Sequence, residues 1–129
     1  MPAHGYFHWN ELMTRDVEQA KAFYNDCIGW IFTSMPMGDG KDYWMAMDGE
    51  TPLGGMFEMS GQEFEGVPDH WVAYIAVNDV DACLEKAKVN GATILREPFD
   101  VPGTGRIALL QQPGGAAIGW MTPASFGSS

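Results

Sequence analysis

The feature that most constrains this chain is a capped amphipathic helix written twice. Thr14 to Trp30, TRDVEQAKAFYNDCIGW, predicts the first copy. Asp16 can cap its start, with Gln19 at capping-box spacing. Val17, Ala20, Tyr24, Cys27 and Ile28 recur at helical spacing as one apolar stripe, with Phe23 beside it. Gly29 stands where a left-handed helix end favours a residue without a Cβ. Asn78 to Ala92, NDVDACLEKAKVNGA, repeats the plan, with Asp79 as cap, Val80, Cys83, Leu84 and Ala87 as stripe, and Gly91 as stop. Asp16 and Asp79 stand 63 positions apart, about half of the 129 residues.

The strand signals repeat as well. Gly5 to Met13 alternates, with Phe7, Trp9, Glu11 and Met13 on one face and His8, Asn10 and Leu12 on the other. Trp30 to Met35 is β-rich and ends at Pro36 and the turn MGDGK. Asp42 to Asp48 sets Tyr43, Met45 and Met47 against Trp44 and Ala46, and Asp48-Gly49 marks a tight turn. Leu53 to Met59 carries the pair Gly54-Gly55, the mark of a bulge or a close backbone approach. Ser60 to Asp69 is polar and reads as a linker. His70 to Val77 opens the second half, with Val72, Tyr74 and Ala76 on one face. After the second helix come a short strand, Thr93 to Arg96, ending before Pro98, and a loop, Phe99 to Thr104. A strand Gly105 to Gln111, the turn Gln112 to Gly115 and a last strand Ala116 to Thr122 complete the pattern. The tail PASFGSS is expected to fray. One half of about 60 residues buries its helix stripe and sheet face poorly alone. The expected fold is therefore one α+β domain over residues 1–129. Its two tandem βαβββ modules, 5–59 and 70–122, are joined by 60–69 and form a curled mixed sheet around a cleft, the default ligand site.

A hydrophobic fraction of 46% argues against disorder. No apolar run is long enough to span a bilayer, and MPAHGYFHWNEL lacks the basic start and apolar core of a signal peptide, so a cytoplasmic location is expected. A net charge of −10 with seven scattered Lys and Arg residues speaks against nucleic acid or an anionic membrane as partner. Cys27 and Cys83 fall on the helix stripes and read as buried free thiols. There is no Ser-His-Asp order, P-loop or dinucleotide glycine motif, and Gly103-x-Gly105 precedes a strand rather than a helix.

The segments RDVEQAKAFYNDCIGWIF, VNDVDACLEKAKVNGATIL and QQPGGAAIGWMTP, set in this duplicated plan, resemble the vicinal-oxygen-chelate superfamily. Glyoxalase I, bleomycin-resistance proteins and extradiol dioxygenases belong to it. The resemblance covers nearly the whole chain. It implies pairing of two chains as a homodimer, which strand edges rich in Trp and Met also invite. It also implies one divalent metal, held by His, Gln or Glu from the first and last strands of each module. Counted from the helices and the terminal glycines, those positions fall on Trp9, Val72 and Gly119 and, by matching Pro52 to Pro113, on Glu58. Trp offers no acceptor, and Val and Gly offer no side-chain donor atom. A divalent cation needs three or four nitrogen or oxygen ligands. The expectation is no metal and no cofactor. This argues against the metal-dependent chemistry of glyoxalases and dioxygenases, and a lyase or dioxygenase with an atypical metal site remains an alternative.

Glu11 alternates with Trp9 and Met13 and should face inward, where a carboxylate needs a partner or a role. A hydrogen bond to Tyr74, a tryptophan or the backbone would satisfy it structurally. A general base or a ligand anchor is the functional reading, with Glu58 close enough to raise one of the two pKa values. Tyr74 and Arg106 are candidate polar companions. His4, in the expected frayed start, His8 and His70 read as surface or strand-end residues. Most of the Trp and Met residues read as core. The functional expectation is a small apolar or aromatic ligand in the cleft between modules. Trp9, Trp44, Val72, Tyr74 and Trp120 would be its walls, and Glu11 and Glu58 its polar groups. The alternative is a metal-free enzyme with Glu11 as general base.

Overall fold

The computed structural model describes residues 4–36, 42–101 and 104–124. The expected turn MGDGK, Gly103 and most of the tail lie outside them. The elements, in order, are β1 (Phe7–Thr14), α1 (Val17–Ile28), β2 (Ile31–Pro36), β3 (Asp42–Asp48), β4 (Thr51–Glu58), β5 (His70–Ala76), α2 (Val80–Val89), β6 (Thr93–Val101), β7 (Gly105–Gln111) and β8 (Ala117–Pro123). This is an α+β chain of two βαβββ repeats with mixed strand pairing. It divides into two compact units, Trp9–Val72 and Ala73–Ser129 with Met1–His8.

Both helices begin at the expected caps. Asp16 Oδ1 accepts the Gln19 N–H at 3.0 Å, and Asp79 Oδ1 accepts the Ala82 N–H at 3.1 Å. Each bond satisfies an amide that the first helical turn leaves without a partner. Gly29 closes α1 at φ 82°, its N–H shared by the carbonyls of Tyr24 and Asn25.

In the first unit the strands lie in the order β2-β3-β4-β1. β2 and β4 run antiparallel to β3, and β4 runs parallel to β1. On one face Leu12, Trp44 and Met56 pack with Val17, Ala20 and Tyr24 of α1. The register shift between Ala46 and Met47 leaves Leu53 as an extra residue of β4, the bulge that Gly54-Gly55 announces. The linker Ser60 to Asp69 is strapped down. It forms one helical turn, Gln62–Phe64. Arg15 donates to the carbonyl of Val67 from Nε at 3.1 Å and Nη2 at 2.7 Å, and to that of Phe64. The Asp69 carboxylate accepts the buried Thr14 hydroxyl at 2.5 Å and the Arg15 N–H at 3.1 Å.

In the second unit the order is β5-β8-β7-β6, with β5 parallel to β8 and the other pairs antiparallel. Val80, Leu84 and Ala87 of α2 pack on Val77, Ala108 and Leu110. β6 differs from the expectation of a strand ended by Arg96 and a loop from Phe99, for it continues through Pro98 to Val101. Register shifts on both sides of Arg96 absorb the proline, and β6 lies at the end of the strand order, where a missing N–H leaves no neighbour unpaired.

The two helices are seated unequally. α2 buries Val80, Leu84 and Ala87, whereas α1 buries Val17 alone. The α1 stripe leaves the sheet after Tyr24, so Ile28 is 59% exposed, and Phe23, beside the stripe, is 56% exposed. Cys27, expected to be buried, is exposed for the same reason, and Cys83 is half-buried against the α2 core. No helix of the described residues is long and apolar enough to cross a membrane. Leu84→Ala is expected to cost about 2–5 kcal/mol in urea unfolding, and Ile28→Ala to stay within about 0.5 kcal/mol. Equal losses would show that α1 is packed as firmly as α2.

Candidate functional site

The register of the first unit decides which side chains meet. Glu11 of β1 and Met45 of β3 both stand opposite Gly55 of β4. Trp9 and Tyr43, two residues from Glu11 and Met45, therefore share their face. Trp9 Nε1–H donates to Tyr43 Oη at 3.1 Å, and the Tyr43 hydroxyl donates to the Glu11 carboxylate. An indole N–H can only donate and a carboxylate only accepts, so the chain of bonds has one direction. All three side chains are half-buried. Burial first, then the Glu11 charge, then the hydrogen bond to it raise the Tyr43 phenol far above its ordinary range, and the Trp9 N–H opposes them.

Gly55 makes the room for this arrangement. A Cβ there would fall 1.5 Å from Tyr43 Oη and 2.4 Å from Cζ, so any side chain displaces the ring. The second unit repeats the device. Tyr74 pairs with Gly119 across the parallel strands, and a Cβ at Gly119 would fall 2.3 Å from the Tyr74 ring.

The structure brings Trp9 and Glu11 together as expected, through Tyr43, which the sequence pattern had not placed in the site. Two signals could have found Tyr43: its alternation with Trp44, and the glycine pair on the neighbouring strand. Glu58 is not part of this group. It pairs with Thr14 on the α1 face of the sheet and is exposed. Matching Pro52 to Pro113 misplaces it, because Pro52 lies inside β4 while Pro113 lies in the turn before β8. The residue that stands to β1 as Gly119 stands to β5 is Gly55.

Trp44 also belongs to the α1 face, opposite Met56, with the Lys21 ammonium 3.5 Å from its ring centroid. It is no wall beside Glu11. Trp120 pairs with Ile75 and packs on the α2 core, and Val72 and Tyr74 are buried. Arg106 is engaged by Asp81, at 2.7 and 3.1 Å, and by Asp100, at 3.2 Å. His4 Nδ1 accepts the Asn78 N–H at 3.0 Å, which ties down a residue expected to fray. His70 Nδ1 lies 2.9 Å from the Pro68 carbonyl, and His8 is exposed. Among the described residues no three His, Cys, Asp or Glu side chains converge as a metal would need. A depression of about 470 Å³ lies on the α1 side, lined by Leu12, Thr14, Phe23, Tyr24, Asp69 and Trp71 among others, and is separate from the Trp9–Tyr43–Glu11 group.

The family model described as the glyoxalase/bleomycin resistance protein/dioxygenase superfamily matches residues 6–119. The chain belongs to this superfamily. Within this glyoxalase superfamily it is 38% identical over 120 residues to "Putative glyoxylase CFP32" of Mycobacterium bovis, covering 93% of this chain and 45% of that one. It is 30% identical over 122 residues to "Anthracycline biosynthesis protein DnrV" of Streptomyces peucetius, covering 85% of this chain and 44% of that one. The chain thus spans less than half the length of these relatives. Among solved structures, methylmalonyl-CoA epimerase from Mycobacterium tuberculosis has a TM-score of 0.64 at 16% identity, covering 96% of this chain and 93% of that one, a likeness of fold.

The residues at the positions where the glyoxalase superfamily holds its metal do not fit a divalent ion. Trp9, Gly55, Val72 and Gly119 offer no side-chain lone pair of the kind a cation binds. The Tyr43 ring occupies the space into which a β4 ligand would project.

The raised Tyr43 phenol has a consequence for stability. In the unfolded chain it ionises near pH ~10; in the fold it stays protonated to higher pH. The native state then binds more protons than the unfolded state. The contribution is complete below pH ~10 and falls above it, by up to about 1.4 kcal/mol per pH unit. Urea titrations from about pH 8 to 11 are expected to show this extra loss in the parent and not in Tyr43→Phe. Parallel curves would contradict it.

Proposed function

We propose that this chain is a metal-free member of the glyoxalase superfamily that binds a small, flat, partly aromatic molecule, with Glu11 as its polar anchor. The observation that carries the reading is the Trp9–Tyr43–Glu11 chain over Gly55. It puts a phenol where a metal ligand would project and leaves an indole face and a carboxylate side by side. Apolar surface gains affinity by shedding water, and one charged group among it sets orientation. The anchoring group is on a rigid element, since β1 pairs with β4 through Glu11 itself. The name of DnrV supports an aromatic ligand, because an anthracycline is a flat aromatic molecule.

A library of aromatic metabolites screened by tryptophan fluorescence tests the proposal. Glu11→Gln is expected to weaken the hits by about tenfold or more, the worth of a hydrogen bond to a charged group. Hits that bind both proteins equally would remove Glu11. Elemental analysis is expected to find less than stoichiometric Zn, Mn, Fe or Ni after purification. One tightly held ion per chain would overturn the metal-free reading.

The proposal includes pairing of two chains. Phe23, Ile28, Ile31 and Trp71, between 43% and 60% exposed, leave apolar surface on the first unit that pairing would cover. Light scattering at micromolar concentration is expected to give a dimer mass, and a monomer mass would remove the pairing.

A further inference from the structure

We infer that the depression beside α1 is a second binding site, which takes small organic ammonium ions carried on an apolar frame. Its lining residues all belong to the first unit and include neither Trp9, Tyr43 nor Glu11, so the inference does not depend on the proposed function.

Three aromatic side chains form the walls. Phe23 and Trp71 each stand nearly perpendicular to Tyr24, at 82° and 79°, with ring centroids 5.0 and 5.8 Å away. The Trp71 indole N–H donates to Tyr24 Oη at 3.2 Å, and Tyr24 stacks on Trp30 at 5.0 Å. The rings are thus held in place before a ligand arrives, which lowers the cost of binding. Phe23 and Trp71 keep much of their surface exposed. An aromatic face attracts a cation through its quadrupole and an apolar frame through its area. Lys21 makes such a contact with Trp44 on the same side of the sheet.

The charge in the depression has one sign. Asp69 is exposed, with Oδ2 accepting the Thr14 hydroxyl at 2.5 Å and Oδ1 the Arg15 N–H at 3.1 Å. Both donors are neutral, so they fix the carboxylate without cancelling its charge. A carboxylate has about four lone-pair sites, more than these two bonds use. No Lys or Arg lines the depression. Arg15 turns its guanidinium to the carbonyls of Phe64 and Val67, and Lys21 goes to Glu18 and Trp44. The net charge of −10 draws cations and repels anions. A volume of about 470 Å³ suits a small molecule.

Three probes with one frame and different charge test this by calorimetry near neutral pH: 2-phenylethylammonium, 2-phenylethanol and 3-phenylpropanoate. Phe23 and Trp71 also belong to the surface proposed for pairing, so the chain is kept at low micromolar concentration and the probe in excess. The parent is expected to bind the ammonium about fivefold or more tighter than the alcohol, with the carboxylate weakest. Asp69→Asn is expected to erase the gap between ammonium and alcohol. Its amide can still accept the Arg15 N–H and donate to the Thr14 hydroxyl. Glu50→Gln removes one charge on an exposed turn outside the depression and is expected to keep the gap. Phe23→Ala, at a 56% exposed side chain, is expected to weaken the ammonium about threefold or more and covers the case in which Asp69→Asn fails to fold. A carboxylate bound as tightly as the ammonium, or no binding of the ammonium at millimolar concentration, would overturn the inference. Ammonium binding unchanged in both Asp69→Asn and Phe23→Ala would place the cation elsewhere and overturn it too, leaving the Glu11 reading untouched.

Discussion

The parallel pairing of β1 with β4 is the constraint on which the first unit depends. Parallel neighbours cannot be closed by a tight turn, so the chain must leave β1, cross over and return. α1 and the β2–β3 hairpin are what it builds on the way. The register of that pairing, Glu11 opposite Gly55, together with Met45 of β3 opposite the same glycine, sets which side chains meet in the site. A slip of one residue would turn Gly55 toward α1 and present Gly54 or Met56 to Tyr43 instead. Gly54 is itself constrained, since a Cβ there would lie 3.1 Å from the Asn10 carbonyl oxygen. The two glycines serve two different faces of one strand.

The helices, their caps and the strand plan were legible because each is written locally. Asp16 and Asp79 cap the helices that begin beside them, and alternation names the strands. The site was only half legible. Trp9 and Glu11 share a strand, so their common face comes directly from a spacing of two. The faces of Trp44 and Glu58 depend on register between strands, and register is set by pairing that no local pattern records. A proline inside β4 and a proline in a turn look alike in sequence, and matching them shifted the fourth-strand position from Gly55 to Glu58. The bulge at Leu53 and the passage of β6 through Pro98 have the same origin: both are adjustments between neighbouring strands rather than properties of either one.

The duplicated plan is used differently in the two units. α2 is seated on its sheet by Val80, Leu84 and Ala87, while α1 holds mainly through Val17 and leaves an aromatic cluster near its end. There Tyr24 stacks on Trp30 at 5.0 Å and receives the Trp71 indole N–H at 3.2 Å. What is shared is a tyrosine ring laid against a glycine of an adjacent strand, Tyr43 against Gly55 and Tyr74 against Gly119. In both units an aromatic ring fills what a larger residue on the module's last strand would otherwise occupy.

The fit of Tyr43 against Gly55 also couples two positions that lie on different strands. Any side chain at position 55 would overlap the phenol from its Cβ outward, so a larger residue fits there only beside a smaller one at position 43. Tyr43 is held in turn by the Trp9 N–H, so shrinking it also takes an acceptor from the indole. The two positions are therefore expected to behave as one unit, in which the effect of a change at either depends on the residue at the other.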